Sequence, residues 1–366
     1  MTSPRPTSDS CPCRRARHCG ERRPCGNAAF QDIDIYRIPK QPISKIPDVY
    51  RPETSVAQPT ADTATYRHPE ALATAGWLAD HLDDPTIRVV DARFTVRAGT
   101  DGTLEAVSEH DAYRKAHIPG AVFVDVMSDL SDPDDPVVVV SPERFENLMR
   151  RLGIGDETTV VIYDEHGGTW AARLWWALRY YGHDAVMLLD GGFTRWQAAG
   201  FPLDSGVPSP SPATFTARVR PEFRVDADQV AQAIGRDDVC IVDALPEIFF
   251  TGGARLYPHH RAGHIPSAYN VPAPSHLDPA THQLLPAADL ARLWEPVGLQ
   301  PTRRVITYCG GGVFGAYNLF VLHVLGHENA ALYDASWMEW GADPSRPVET
   351  GPRAATQDQP TNPERQ

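Results

Sequence analysis

One stretch decides the fold: Val305-Ile306-Thr307-Tyr308-Cys309-Gly310-Gly311-Gly312-Val313-Phe314-Gly315-Ala316. Its β-branched apolar run predicts a buried strand, and the three glycines end that strand. The apolar residues that follow, 316–325, predict a helix. A cysteine at such a strand-to-helix junction lies among backbone N–H groups at the positive end of the helix, an environment that stabilises thiolate, the nucleophilic form. Cys309 is therefore either a reactive cysteine or a structural one beside a glycine turn.

The composition limits the classes of protein to which the chain can belong. With 366 residues it has room for two domains and a sizeable core. The 34 Lys and Arg against 47 Asp and Glu give a net charge of −13, which disfavours general binding to nucleic acid or to an anionic membrane. No apolar run approaches the roughly 20 residues of a membrane span, and the N-terminus has no apolar signal segment. We therefore expect a cytoplasmic protein with reduced thiols.

The first 66 residues differ in texture from the rest of the chain. They are rich in Pro, Thr, Ser and Arg and show no amphipathic period, which predicts a disordered leader. Four of the six cysteines lie there: Cys11, Cys13, Cys19 and Cys25. Their C-x-C-x5-C-x5-C spacing matches no common zinc module, so zinc binding is the less favoured alternative and we predict no metal site. The role of these cysteines stays open, including whether the leader lies upstream of the true translation start.

From about Tyr66 onward, strand and helix signals alternate. Strands are predicted over 87–93, 160–164 and 185–190, and helices over 69–81, 142–152 and 170–181. Ser141 is the predicted N-cap and Gly153 the predicted C-cap of the second of these helices. Alternating βα units predict a parallel sheet covered by helices.

The pattern then repeats after a Pro-, Ser- and Thr-rich segment. The landmarks Val-Asp-Ala, His-Ile-Pro and the strand before Cys309 recur in the same order, at an offset of 147 residues between His117 and His264 and 145 between Asp164 and Cys309. We predict an internal duplication with a first domain at 67–202, a linker at 203–222, a second domain at 223–349 and a disordered tail at 350–366.

The two halves differ at the position that follows the shared strand. The first half has Asp164 where the second has Cys309, and Glu165 and His166 follow Asp164 where glycines follow the cysteine. Glycines let backbone N–H groups converge on one point and bind an anion. We therefore predict a structural first half and a catalytic second half, with an anion cradle formed by Gly310, Gly311, Gly312, Val313, Phe314 and Gly315.

The order of these motifs resembles the rhodanese-type sulfurtransferases over residues 67–349. The two His-Ile-Pro motifs, the Tyr-Cys-Gly-Gly-Gly-Val loop and the segments Leu-Asp-Gly-Gly-Phe-x-x-Trp and Tyr-Asp-Ala-Ser-Trp-Met-Glu-Trp-Gly carry the resemblance. It implies an α/β fold of two tandem domains, each with a central parallel sheet flanked by helices, and a catalytic cysteine at Cys309.

The resemblance also implies a mechanism. Sulfane sulfur from thiosulfate or 3-mercaptopyruvate passes to Cys309 as a persulfide and then to cyanide or a thiol, with thioredoxin and glutathione as candidate acceptors. The implied partners are thus a small anionic donor and such an acceptor, without a metal or organic cofactor. We expect a monomer, because the duplication already supplies a domain partner.

This chain departs from the family pattern around the donor. Its loop has neither the Arg-Lys pair of thiosulfate enzymes nor the serine of mercaptopyruvate enzymes, and Phe249 and Tyr257 stand where the family has anion-binding arginines. Arg255 and Arg261 lie close by in sequence and are predicted to substitute, unless they are ordinary solvated loop residues. Leu245 replaces a further family arginine, which the first half keeps as Arg93.

The remaining candidate residues are assigned structural roles. His117 and His264 are expected to bond the loop backbone, Cys240 to be buried and inert, and the tryptophans Trp170, Trp175 and Trp176 to pack in the core or between the domains. A cysteine phosphatase would need an arginine at position 315, which is glycine. A sulfur carrier or interaction module of the same fold, with little turnover of its own, is the alternative to an active enzyme.

Overall fold

The computed structural model describes residues 65–98 and 104–353. The predictions for most of the leader, including its four cysteines, and for most of the tail fall outside these ranges. Within them, no helix is long and apolar enough to cross a membrane.

The first half builds a parallel sheet from runs of β-branched and apolar residues. Its five strands lie in the order β1-β7-β6-β2-β5, with bounds β1 Leu72–Ala73, β2 Ile87–Asp91, β5 Val122–Phe123, β6 Thr159–Tyr163 and β7 Val186–Leu189. An antiparallel hairpin stands apart, with strands β3 Phe94–Ala98 and β4 Leu104–Ser108. The helices are α1 Ala75–Asp80, α2 His110–Lys115, α3 Pro142–Arg151, α4 Ala171–Tyr180 and α5 Gly192–Ala198.

The second half repeats this architecture. Its strands are β8 Arg224–Val225, β9 Val239–Asp243, β10 Tyr269–Asn270, β11 Arg304–Tyr308 and β12 Ala330–Tyr333. They lie in the order β10-β9-β11-β12-β8. Read from the β8 edge, this is the order of the first sheet, with β8, β12, β11, β9 and β10 in the places of β1, β7, β6, β2 and β5. The helices are α6 Ala227–Ala233, α7 Glu247–Phe250, α8 Ala287–Trp294, α9 Val313–Val324 and α10 Ser336–Trp340. The shared topology confirms the α/β fold with two similar domains.

Two predicted helices have different bounds in the structure. The helix predicted over 69–81 starts only at Ala75, where the Thr74 hydroxyl accepts the Trp77 N–H. The residues before it form a 3-10 turn and the edge strand β1, because Leu72 and Ala73 pair with β7. The helix predicted from residue 316 starts earlier, at Val313. Helix α3 agrees with its prediction, since the Ser141 hydroxyl caps it.

One cluster of buried apolar residues spans both domains, and each domain has a further cluster of its own. Helices α4 and α9 pack against each other, and the rings of Trp175 and Phe320 meet edge to face at 5.2 Å. Arg173 on α4 forms a buried ion pair with Asp334, which follows β12 in the other domain. Trp170, Trp175 and Trp176 are all buried, which confirms their predicted packing role. The loop that follows Cys309 leads into α9 and therefore lies beside this domain interface.

Candidate active site

Cys309 lies where β11 ends and the chain turns into α9. Gly312 makes this turn possible, since it has a positive φ of 77° and serves as the N-cap of α9. A Cβ atom at Gly312 would come within 2.5 Å of the Arg173 guanidinium and 2.7 Å of the Asp334 carbonyl oxygen. Only glycine fits there. The loop is thus held tightly against the interdomain ion pair.

The sulfur of Cys309 is buried among backbone N–H groups. Burial raises the pKa of the thiol, and hydrogen bonds from the N–H groups of Gly315, Gly311 and Phe314 offset only part of this rise. The N–H groups of the loop thus lower the pKa of the thiol, as the glycine-rich sequence suggests, but burial has the larger and opposite effect. Sequence shows the donors but not the depth of burial, which penalises the charged form.

The first domain shows what this arrangement of N–H groups binds. There the Asp164 carboxylate accepts N–H groups from the equivalent loop, at distances of 2.7 to 3.0 Å; the donors are His166, Gly168, Trp170 and Ala171. At the offset of 145 residues, His166 and Trp170 correspond to Gly311 and Gly315, two of the donors around the Cys309 sulfur. The loop of the first domain thus binds the side-chain carboxylate of Asp164 at the position that corresponds to the Cys309 sulfur in the second domain.

Ser336 fixes the shape of the second loop. Its buried hydroxyl oxygen accepts the N–H of Cys309 at 3.1 Å and that of Gly312 at 3.2 Å, and its proton is donated to the Tyr333 carbonyl at 2.7 Å. The Gly312 N–H is therefore not directed at the sulfur, which corrects its predicted place among the cradle donors. Gly310 and Val313 line the space beside the sulfur, and their role as donors stays a prediction.

A cavity of about 130 Å³ opens over Cys309 between the two domains. Its walls are almost wholly apolar, and none of the residues that line it carries an Asp, Glu, Lys, Arg or His side chain: Val96, Met127, Trp170, Leu245, Pro246, Phe249, Leu256, Tyr257, Gly310, Gly311, Val313 and Phe314. Sequence reasoning singled out Phe249 and Tyr257 only as replacements for arginines. It offered no signal for Val96 or Met127, which reach the site from the first domain.

Neither predicted arginine lines this cavity. Arg261 is held by four backbone carbonyls, those of Trp340, Gly341, Asp343 and Arg346, around the end of α10. Arg255 is exposed and lies outside the lining, although its neighbours Leu256 and Tyr257 belong to it. Neither arginine therefore forms part of the wall of the cavity over Cys309. Arg261 is used instead to satisfy carbonyls left unpaired where a helix ends.

Tyr257 is the one hydroxyl-bearing side chain in the lining. A Cβ atom at Gly310 would lie only 2.9 Å from the Tyr257 hydroxyl oxygen. Burial, and secondly the nearby Cys309, raises the pKa of Tyr257. The phenol is therefore protonated over the physiological range and can donate a hydrogen bond over the loop.

Asp243 is a second ionisable group close to the site. It is fully buried at the end of β9, where one carboxylate oxygen accepts the Leu245 N–H at 2.9 Å and the Tyr308 hydroxyl lies close to the carboxylate. Burial raises its pKa to about 7, although the Leu245 N–H and the Tyr308 hydroxyl oppose the rise. In the first domain the equivalent Asp91 is paired with Arg93 at 2.8 Å. Replacement of that arginine by Leu245 thus leaves Asp243 without a counter-ion.

The structural assignments of the remaining candidates are confirmed. A ring nitrogen of His117 bonds the Tyr113 carbonyl and one of His264 bonds the Phe250 carbonyl, both in buried positions. Cys240 is buried in β9, and burial raises its pKa. None of these side chains lines the cavity over Cys309.

Comparison with known proteins identifies what this chain is similar to. The family profile described as "Rhodanese-like domain" matches residues 74–199 and 226–343. The 3-mercaptopyruvate sulfurtransferase of Escherichia coli strain K12 is 35% identical over 278 residues, which cover 75% of this chain and 96% of that protein. The sulfur carrier protein TtuD of Thermus thermophilus is 33% identical over 299 residues, or 78% of this chain and 99% of that protein.

Solved structures agree with this similarity. The crystal structure of SseA from Escherichia coli, described as a 3-mercaptopyruvate sulfotransferase with the rhodanese fold, superposes with a TM-score of 0.65 at 33% identity, over 73% of this chain and 98% of that chain. An anaerobic ergothioneine biosynthesis enzyme from Chlorobium limicola, solved with trimethyl histidine, superposes with a TM-score of 0.67 at 26% identity, over 78% of this chain and 71% of that chain.

Proposed function

Because this chain belongs to the rhodanese family and is a sulfurtransferase, we propose that Cys309 carries the transferred sulfur as a persulfide. One observation supports this most strongly. The first domain binds the Asp164 carboxylate with the N–H groups of the loop that corresponds to the one around Cys309. A persulfide anion on Cys309 would extend into the same kind of donor cluster, supplied by Gly311, Phe314 and Gly315.

The proposed reaction has two halves. The Cys309 thiolate attacks the terminal sulfur of thiosulfate or the thiol sulfur of 3-mercaptopyruvate and forms a new S–S bond. The S–S bond of thiosulfate breaks and sulfite leaves, or the C–S bond of 3-mercaptopyruvate breaks and pyruvate leaves as its enolate. The persulfide is then attacked at its outer sulfur by cyanide or by a thiol such as glutathione or thioredoxin, and Cys309 leaves as thiolate. The backbone N–H groups of the loop are already in position before the reaction. They therefore stabilise the anionic sulfur in both half-reactions without having to reorganise.

The N–H cluster also explains how a thiol with a raised pKa can take part. Burial penalises the Cys309 thiolate, but a persulfide anion is a weaker base than a thiolate, because its charge is spread over two sulfur atoms. At a given pH the loaded group is therefore more often anionic than the thiol, and the N–H groups stabilise that anion more than they stabilise a neutral thiol. This difference provides a driving force for sulfur uptake.

Steady-state assays with thiosulfate and with 3-mercaptopyruvate test this proposal, with cyanide or a thiol as acceptor and Cys309→Ser alongside. We expect turnover with at least one donor and its complete loss in Cys309→Ser. Absence of turnover together with absence of sulfur on Cys309 would overturn the proposal.

A sulfur carrier of the same fold is the second candidate function. The cation-free cavity favours it, since small anionic donors find no charged side chain there, and one relative is named a sulfur carrier. A carrier would hold sulfur on Cys309 and release it to a protein acceptor, with slow turnover of small donors. Persulfide formation without steady-state turnover would identify this case.

A further inference from the structure

The walls of the cavity over Cys309 are apolar on every side that the structure describes. Trp170 and Met127 from the first domain face Phe249, Leu256 and Phe314 from the second. The polar side-chain groups in the lining are the Tyr257 hydroxyl, the Trp170 indole N–H and the Cys309 thiol, and the backbone N–H groups of the loop lie beside them.

This lining is poorly matched to a small, highly charged donor. A dianion that enters an apolar site loses its water and gains no side-chain cation in return, which is a large unfavourable free energy. Of the two arginines predicted to bind the donor, Arg261 is bonded to backbone carbonyls and Arg255 is exposed outside the lining. The loop N–H groups can hold one anionic sulfur but cannot offset a second charge farther out.

The same lining favours a donor with an apolar group. Burial of an aromatic ring against apolar walls is favourable in proportion to the area removed from water. An apolar protein cavity of about 150 Å³ is known to bind benzene, and the cavity over Cys309 measures about 130 Å³ and opens to solvent. A ring-sized substituent therefore fits over the sulfur.

We propose that the cavity selects organic sulfur donors in which a terminal sulfane sulfur is bonded to a compact apolar body and the whole molecule carries at most one negative charge. Aryl thiosulfonates and aryl or alkyl hydropersulfides have this chemistry. The inference rests on the proposed function, since it names the donor class for the same Cys309 site.

The reaction step for this class balances without a further reactant. With an aryl thiosulfonate, the Cys309 thiolate attacks the terminal sulfur, a new S–S bond forms, and the bond between the terminal sulfur and the sulfonyl sulfur breaks. The arenesulfinate leaves with the electron pair. With a hydropersulfide, the leaving group is a thiolate. The Tyr257 hydroxyl lies over the loop beside the attacked sulfur, where it can donate to the departing anion.

Three donors that differ in charge and in apolar bulk test the inference: benzenethiosulfonate, methanethiosulfonate and thiosulfate. Single-turnover loading is followed by intact mass, as the gain of one sulfur atom. We expect the loading rate per unit concentration for benzenethiosulfonate to exceed that for methanethiosulfonate by about 10- to 100-fold, because the two have the same charge and both release a sulfinate, whereas only the first buries an aromatic ring. Thiosulfate is expected to be the slowest of the three. Loading by thiosulfate as fast as by benzenethiosulfonate would overturn the inference.

A pair of variants at adjacent positions sharpens the test. Leu256→Arg places a cation over Gly310, since a Leu256 methyl carbon lies only 2.6 Å from the position of a Gly310 Cβ atom. We expect it to slow benzenethiosulfonate loading about tenfold and to speed thiosulfate loading. Arg255→Leu removes an exposed cation outside the lining and is expected to change neither rate. Equal effects of both variants on thiosulfate, or none from Leu256→Arg in a folded protein, would contradict the inference.

Failure of the inference can be separated from failure of the proposed function. If no donor adds sulfur to Cys309, the proposed function fails. If thiosulfate loads Cys309 as well as benzenethiosulfonate does, the proposed function stands and the donor class is wrong. The comparison of donors on the unmodified protein decides this even where Leu256→Arg does not fold.

Discussion

Asp243→Asn should stabilise the protein at neutral and alkaline pH, whereas the same substitution at the equivalent Asp91 should destabilise it. The two carboxylates occupy matching positions at the ends of β9 and β2, and both are fully buried. Asp91 has the Arg93 guanidinium at 2.8 Å, but Asp243 has Leu245 in place of that arginine. The duplication therefore offers the same group with and without its counter-ion.

The magnitude follows from the pKa of Asp243. Burial raises this pKa from 3.8 to about 7. At about 1.4 kcal/mol per pKa unit, the ionised carboxylate costs the folded state about 4 kcal/mol above pH 7. Between about pH 4 and about pH 7 the folded protein keeps a proton that the unfolded chain has released, so the contribution of Asp243 to stability falls as the pH rises and becomes constant above about pH 7.

Asparagine keeps the shape of the side chain and removes this titration. Urea unfolding at about pH 8 should show Asp243→Asn more stable than the unmodified protein by up to about 4 kcal/mol, and the gain should shrink towards zero near pH 4. Asp91→Asn should instead cost about 3 to 5 kcal/mol, because it removes the buried charge 2.8 Å from Arg93 and leaves that guanidinium only the longer contact of 3.4 Å with the partly exposed Glu165 carboxylate. A gain for Asp243→Asn that does not change with pH, or no gain at about pH 8, would refute the reasoning.

Three further substitutions test the roles of individual side chains. Ser336→Ala should lower the free energy of unfolding by about 2 to 4 kcal/mol and slow sulfur loading, because two buried N–H groups lose their acceptor; an unchanged loading rate would show that the loop keeps its shape without the hydroxyl. Arg261→Leu should destabilise by about 2 to 4 kcal/mol in urea unfolding, because the carbonyls around the end of α10 lose their donor, yet leave the half-saturating donor concentration unchanged; a weaker donor affinity would restore its predicted role as an anion clamp. Tyr257→Phe should slow loading about tenfold in single-turnover assays at unchanged urea stability, since the hydroxyl donates only to the reacting anion; equal rates would exclude that hydrogen bond.

Local patterns in the sequence predicted the architecture well, because they depend on residues close together in the chain. The β-branched run before Cys309 and the glycines after it predict the strand, the loop and the following helix. The repeated landmarks predict two similar sheets. The Ser141 cap was likewise predictable, since a capping hydroxyl and its N–H partner lie three residues apart.

The features that the sequence did not predict depend on contacts between distant residues. Strand β1 exists because Leu72 and Ala73 pair with residues of β7 more than 100 positions later. Val96 reaches the cavity from the hairpin of the other domain. Arg261 is turned away from Cys309 by carbonyls about 80 residues farther along the chain. Nothing in the neighbouring sequence of these residues indicates such partners.

The raised pKa of Cys309 has the same origin. Its N–H donors are local and could be predicted from the glycine loop, but its burial comes from side chains of both domains. The N–H donors determine what the site can bind, and the burial determines the charge state of the Cys309 thiol. Sequence reasoning saw only the first of these two effects.

Peptide mapping by mass spectrometry tests the central claim most directly. The full-length protein is exposed to 3-mercaptopyruvate and to benzenethiosulfonate, and its cysteine peptides are compared before and after treatment with cyanide. We predict one added sulfur on the peptide that contains Cys309, none on the buried Cys240, and loss of that sulfur as thiocyanate after cyanide. Sulfur that is absent from Cys309, or that is transferred equally well by Cys309→Ser, would contradict the account.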